Sequence, residues 1–238
     1  MAPRKERNRL TAKLIHSRDL CPDIRHFLFE AEADDRLSYT PGQFVSLSEE
    51  LNGKHITRAY SIASPLNGNR FELCLNQVKD GRFSPHLFSM QPGDTVKMAG
   101  PLGTFVPRSP LSDSIFVAVG TGIAPFRAML LSPTLFEPGR NIELIFGARY
   151  EHGLLYANEF ESLAAKHPNF RFTPTMTRPD DKWTGRTGRV QPHLLESIGD
   201  RRDIDVYVCG MKEMVDDVRR LLKEMAFDRK RIIYEKYD

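Results

Sequence analysis

Arg58, Tyr60 and Ser61 are the first residues whose types and spacing suggest chemistry. They stand in Arg58-Ala59-Tyr60-Ser61, after the alternating His55-Ile56-Thr57 and before Ile62-Ala63-Ser64-Pro65. In an extended segment alternate side chains share a face, so Arg58 and Tyr60 point one way and Ala59 and Ser61 the other. A guanidinium donates hydrogen bonds in pairs and so matches a diphosphate, while a tyrosine two residues along adds a flat ring and a hydroxyl for a ring-bearing ligand. Taken alone, the tetrapeptide is better described as an amphipathic strand with a surface arginine and a half-buried tyrosine. Gly81-Arg82-Phe83-Ser84 opens a short segment in which Phe83, Leu87 and Phe88 fall at helical spacing. A glycine turn leading into a helix offers backbone donors to an anion, or is simply a surface turn capped by Ser84.

A second group of residues lies in the other half of the chain. Gly120-Thr121-Gly122-Ile123-Ala124-Pro125 follows the apolar run Ile115–Val119 and precedes an apolar helix expected from about Phe126. Its glycines permit a tight turn and close backbone approach to a diphosphate, and Pro125 suits a first helical turn. After the next expected strand, where an NAD-binding fold places an acid for the ribose hydroxyls, stands Gly147-Ala148-Arg149. Thr177-Arg178 follows the third strand, with Arg186 and Arg189 beyond it. Arginines on neighbouring strand ends suit a 2'-phosphate, or are solvated. Cys209-Gly210 ends a fourth strand, where a cysteine is by itself an inert buried thiol. Glu235 and Tyr237 lie close to the end of the chain.

The elements that must position these residues differ between the two halves. From Leu10 to about Pro107 six short runs (Leu10–His16, Ile24–Glu30, Gln43–Ser48, Ile56–Ala63, Phe71–Val78, Thr95–Ala99) are separated by turns such as Asp34-Asp35, Asn52-Gly53 and Pro92-Gly93-Asp94. They predict an antiparallel six-stranded barrel or sandwich. From Ile115 onward, strands at Ile115–Val119, Ile142–Phe146, Phe170–Met176, Val206–Val208 and Ile232–Tyr234 alternate with helical patterns at Phe160–Ala164 and Met214–Met225. That alternation predicts an α/β open parallel sheet with its ligand beyond the carboxyl ends of the strands. The composition shifts near Ser109–Ser114, which places two domains at 1–110 and 111–238.

Composition excludes other classes. The 238 residues are 40% hydrophobic and 27% charged with a net charge of +3, values of an ordinary globular chain with no bias toward nucleic acid. The amino-terminal arm (Arg4, Lys5, Arg7, Arg9) is basic but lacks the interleaved aromatics of a nucleic-acid binder and is followed by no apolar signal run. No stretch is long and apolar enough to span a bilayer, so the cytoplasm is the expected location. Cys21, Cys74 and Cys209 are too widely spaced for a disulfide framework, a zinc pair or an iron–sulfur cluster, and no metal site is expected.

Arg58-Ala59-Tyr60-Ser61 resembles the R-x-Y-S signature of the ferredoxin-NADP reductase family, and the ordered series that follows strengthens the resemblance across nearly the whole chain. Gly81–Ser84 is similar to the family's G-x-x-S stretch, Gly100-Pro101-Leu102-Gly103 to its G-P-x-G turn, Gly120–Pro125 to its dinucleotide turn, Cys209-Gly210 to its C-G pair, and Glu235-Lys236-Tyr237 to its terminal acid-aromatic pattern, with Asp238 one residue beyond. The resemblance implies a six-stranded Greek-key barrel for FAD and an α/β domain for NADP(H), with NADH also possible. It further implies Arg58, Gly81, Arg82, Phe83 and Ser84 at the FAD diphosphate, and Ser61, Cys209, Glu235 and Tyr237 around the reacting rings. Hydride would pass between nicotinamide and flavin and single electrons to a separate ferredoxin or flavodoxin. The expected oligomeric state is a monomer. The clustered Arg219, Arg220, Lys223, Arg229, Lys230 and Arg231 are candidates for docking an acidic carrier. A free-flavin reductase, and an NADH-dependent reductase component of an oxygenase system, are the alternatives.

Overall fold

The computed structural model describes residues 9–32, 37–136 and 139–237. The basic residues Arg4, Lys5 and Arg7, the turn at Asp34-Asp35 and Asp238 lie outside them. The chain divides into two compact units: the described residues up to Val106 together with Arg127–Ser132, and Pro107–Phe126 together with Pro133 onward.

In the first unit the strands are β1 (Arg9–Cys21), β2 (Ile24–Glu32), β3 (Phe44–Leu51), β4 (Lys54–Ser61), β5 (Arg70–Asn76) and β6 (Thr95–Leu102), with the short helix α1 (Phe83–Ser89) between β5 and β6. All six anticipated strands form. They make one antiparallel sheet in the order β4-β3-β6-β1-β2-β5. Beyond β4 the chain reaches β5 through the Ile62–Leu73 bridge and the Ala63 N–H bond to the Glu72 carbonyl, so the sheet curls back on its far edge. The alternating apolar residues point into this curl, where Leu14, Phe27, Phe29, Val45, Leu47 and Phe71 are fully buried. β1 runs further than its periodicity implied, because irregularities after Leu14 and after Asp19 let it continue pairing with β2.

The second unit holds β7 (Ser114–Val119), α2 (Ile123–Leu130), β8 (Ile142–Ala148), α3 (Ala157–Lys166), β9 (Phe170–Met176), β10 (Arg186–Thr187), α4 (Val190–Ile198), β11 (Asp205–Met211), α5 (Lys212–Glu224) and β12 (Ile232–Tyr237). From Arg127 onward α2 groups with the first unit. The six parallel strands run β10-β9-β8-β7-β11-β12. The order turns outward on both sides of the β7/β11 pair, the point at which an open parallel sheet forms its ligand crevice. β7, β8 and β11 are buried along most of their length, as their continuous apolar runs require. α2 begins at Ile123, not near Phe126, because a 3-10 turn over Gly120–Gly122 delivers the chain directly into it. α4 and the edge strand β10 are additions to the sequence-based reading.

Candidate functional site

β4 is the edge strand that carries the R-x-Y-S residues, with Arg58 opposite Leu47, Tyr60 opposite Val45 and Ser61 opposite Phe44 on β3. Arg58 is exposed, and its Nη1 donates to the neighbouring Thr57 carbonyl at 2.8 Å. Around it lies a pocket of ≈ 420 Å³ lined by residues that include Lys54, Thr57, Arg58, Asp80, Gly81 and Arg82. The structure thus brings the arginine of the strand and the glycine turn to one cavity. Lys54 is a further cation of this wall that sequence reasoning passed over; its spacing of two pleats from Arg58 was the available signal. Lys54, Arg58 and Arg82 outnumber the single carboxylate of Asp80 on this wall, and together with the glycine turn they fit a diphosphate.

The supporting residues take roles different from those expected. Phe83 is 2% exposed, a core side chain whose ring stacks on Tyr60 at 6.2 Å between centroids, so it backs the tyrosine and does not itself face a ligand. Burial pushes the Tyr60 phenol up, opposed by the Arg58 charge. The Val78 N–H donates to Ser84 Oγ at 2.9 Å, so the serine closes the turn and keeps only its own hydrogen for a phosphate. Gly81 is required by the same turn, since a Cβ would sit 2.9 Å from the Val78 carbonyl. Ser61 is buried at the end of β4 and Ala59 is exposed on it.

Arg127 is a residue of this unit that the sequence reading did not reach. It is buried, and its Nη1 donates to the Ala63 carbonyl at 2.7 Å and to the Glu72 carboxylate. The bond to Ala63 fixes the backbone two residues past Ser61. A single charge inside the otherwise apolar helix Ile123–Leu130 was the signal that could have exposed it.

In the second unit the residues converge on the carboxyl edge of β7 and β11. Of the Gly120–Pro125 turn, Gly120 and Thr121 are half-buried, whereas Gly122, Ile123, Ala124 and Pro125 are buried and act as packing. A Cβ on Gly122 would lie 2.3 Å from the Cys209 carbonyl, so the second glycine admits β11 and not a ligand. Cys209 pairs in register with Ala118 on one side and Glu235 on the other. Its thiol is fully buried and pushed well above the ordinary value, by burial first and by Glu235 second, while a hydrogen bond with the Tyr237 side chain pulls it back. It is neutral and no nucleophile. Cys209, Gly210, Glu235 and Tyr237 therefore form one cluster, with Gly210 opposite Lys236.

Arg149 is exposed past the end of β8, and its carbonyl accepts from the Arg178 N–H at 2.9 Å. Arg178 Nη1 in turn donates to the Tyr150 hydroxyl at 3.3 Å. The backbones of the two arginines are therefore adjacent. Arg186 is placed otherwise: both arms of its fork go to the Glu196 carboxylate, which raises its already high pKa. The expected carrier-docking cluster is also partly neutralised, with Arg219 bound to Asp216 and lying 3.9 Å over the Tyr234 ring, Arg220 bound to Asp217 and Arg231 bound to Asp205. Among the described residues no helix is long and apolar enough to cross a membrane.

The comparisons agree with this geometry. Residues 11–106 match the oxidoreductase FAD-binding domain and residues 116–220 the oxidoreductase NAD-binding domain. The chain is 37% identical over 238 residues to ferredoxin--NADP reductase B of Sorangium cellulosum, covering 95% of this chain and 97% of that protein. It is 31% identical over 209 residues to the toluate 1,2-dioxygenase electron transfer component of Pseudomonas putida, covering 85% of this chain but 60% of that longer protein. Among solved structures, a ferredoxin NADP+ reductase from Neisseria gonorrhoeae with bound FAD and NADP superposes with a TM-score of 0.84 at 25% identity, over 97% of this chain and 99% of that one.

Proposed function

Because the chain belongs to the FAD- and NAD-binding oxidoreductases of the ferredoxin-NADP reductase family, we propose that it is a ferredoxin or flavodoxin reductase that prefers NADP(H). The observation that supports the preference is that Arg149 and Arg178 are joined backbone to backbone just past the ends of β8 and β9, with an arginine where an NAD-binding fold would set an acid. The likeness to the Sorangium protein, a ferredoxin--NADP reductase, supports a ferredoxin-type carrier as partner. We place the functional boundary between 110 and 111, within the interval left by the two domain matches.

Bound to the two units, FAD and the nicotinamide supply the hydride and single-electron chemistry. The protein's contribution is binding, orientation and proton handling. Arg58, Lys54 and Arg82 hold the flavin diphosphate, with Gly81 allowing the turn to approach, and Tyr60, braced by Phe83, supplies the aromatic surface. Gly120 and Thr121 take the dinucleotide diphosphate, and Arg149 and Arg178 read the 2'-phosphate. Ser61 and Glu235 carry protons; Cys209 and Tyr237 position the nicotinamide, with the neutral thiol giving contact without bond formation.

Steady-state reduction of a ferredoxin by the FAD-loaded protein with NADPH and with NADH tests the reading. A clear advantage for NADPH is expected. Equal efficiency with the two nucleotides would favour the oxygenase-type reductase alternative.

A further inference from the structure

Among the described residues two buried side-chain atoms have no hydrogen-bond partner in the protein: His86 Nε2 and Gln191 Oε1. An unpaired buried polar atom costs stability and calls for an explanation, such as strain, a functional role or a group that binds it. Neither is randomly placed. His86 lies in α1, directly after the Gly81–Ser84 turn. Gln191 is the second residue of α4, in the unit that carries the dinucleotide residues.

The position of Gln191 can be followed further. The chain enters α4 from the carboxyl end of β9, where the Gly188 N–H bonds to the Met176 carbonyl. Val190 is then seated on the carboxyl end of β8, its Cγ1 so close that a Cβ on Gly147 would be 2.7 Å away. One residue on, Gln191 sits at the same edge of the sheet as Arg149 and Arg178. Val190, Leu194 and Ile198 form the buried stripe of the helix, so Gln191 flanks the packed face, half-buried as a residue with its Oε1 shielded.

We infer that Gln191 is a dinucleotide-binding residue whose Oε1 accepts a hydrogen bond from a ribose hydroxyl of the bound nucleotide. This rests on the dinucleotide site of the preceding reading. The chemistry is complementary to what β8 lacks. A dinucleotide fold ordinarily supplies an acceptor for a ribose hydroxyl from an acid at the end of its second strand; here that place holds Arg149, which can only donate. A neutral amide on the adjoining helix restores the acceptor without adding a negative charge beside the phosphate that the arginines would bind.

The test uses the FAD-loaded protein and its Gln191→Leu and Gln191→Met variants, which keep side-chain bulk and remove the acceptor. Binding of NADP+, NAD+, 2',5'-ADP and nicotinamide mononucleotide is measured by equilibrium titration, and the melting temperature is recorded for each protein. The expected result is a loss of NADP+ affinity of about five- to tenfold, the worth of one hydrogen bond, with FAD content unchanged and a melting temperature equal to or above the parent's. A loss shared by 2',5'-ADP assigns the adenosine ribose, and one shared by the mononucleotide assigns the nicotinamide ribose. Unchanged nucleotide affinity in both variants, above all with a lowered melting temperature, overturns the inference and makes Gln191 a structural residue. A parent that binds NAD+ but not NADP+ sinks the 2'-phosphate reading alone, because the Gln191 comparison then runs on NAD+.

Discussion

Cys209 on β11 and Glu235 on β12 stand opposite one another in a parallel register, and the same thiol is hydrogen-bonded to the Tyr237 side chain. A buried thiol beside a carboxylate resists ionisation, so Cys209 is held neutral. Native protein should therefore leave Cys209 unmodified by iodoacetamide at pH 8, while the denatured chain reacts at all three cysteines. Mass spectrometry after trypsin digestion reads the result; rapid native labelling of Cys209 would show that the pocket is open and the thiol ionised. Cys209→Ala should slow flavin reduction by NADPH without changing FAD content, because contact is lost and no bond-forming group is removed.

The same physics sets an alkaline limit on stability. Burial pushes Tyr39 to about 12, with a smaller push from Glu72 and against a hydrogen bond from Ser64, and it raises Tyr60, Tyr207 and Cys209 as well. The folded chain holds these protons more tightly than the unfolded chain does. Their contribution is fully present below the ordinary thiol and phenol values, about 8.5 and 10, and is lost as pH rises through the raised ones. Urea midpoints should fall from about pH 8.5 upward, and Cys209→Ala should remove the earliest part of that fall. A midpoint that rises over this range would contradict the assignment.

Arg58→Ala should weaken FAD binding roughly ten- to a hundredfold, since a hydrogen bond to a charged group is worth about 1.5–3 kcal/mol. Flavin retained after desalting, measured by visible absorbance, reads this directly. Lys54→Ala should act in the same direction with smaller effect, because an ammonium lacks the paired geometry of a guanidinium. A variant at position 58 that keeps its flavin like the parent would remove that residue from the site.

Arg149→Ala and Arg178→Ala should each reduce the NADPH-to-NADH ratio of kcat/KM by roughly tenfold, whereas Arg186→Ala should leave it near the parent value. The contrast follows from Arg186 being committed to Glu196. If Arg186→Ala changes the ratio and the other two do not, the pairing has been misassigned.

Arg127→Met should destabilise the protein by roughly 3 kcal/mol, since removing one partner leaves the Glu72 carboxylate partly buried without its counter-charge. Paired Arg127→Met and Glu72→Gln substitutions should recover part of that loss. Denaturant titration of the single and double variants measures it; additive losses would mean that the two side chains do not act as a pair.

Much of this protein was legible without coordinates. The six strands of the first unit and the main strands of the second follow from periodicity and turn residues, because a strand half-buried in a barrel must alternate and one covered on both faces must be apolar throughout. Arg58, Gly81, Arg149 and Arg178 stand out in the sequence as candidates because a phosphate asks for a particular side chain after a particular kind of element. The edge strand β10 is only Arg186–Thr187, too short to carry a period. α4 did carry a signal in Val190, Leu194 and Ile198, but it was overshadowed by the arginine- and glycine-rich stretch before it. What only the tertiary structure decided is how each polar group spends its hydrogen bonds. Ser84 closes a turn, Arg186 is occupied by a helix residue ten positions on, Arg127 reaches Ala63 across 64 residues of chain, and Gly122 is small for the sake of Cys209. A side chain's type and neighbours along the chain are local facts, but the partner it meets is set by folding, which brings distant backbone and charge within the few ångströms over which a hydrogen bond acts.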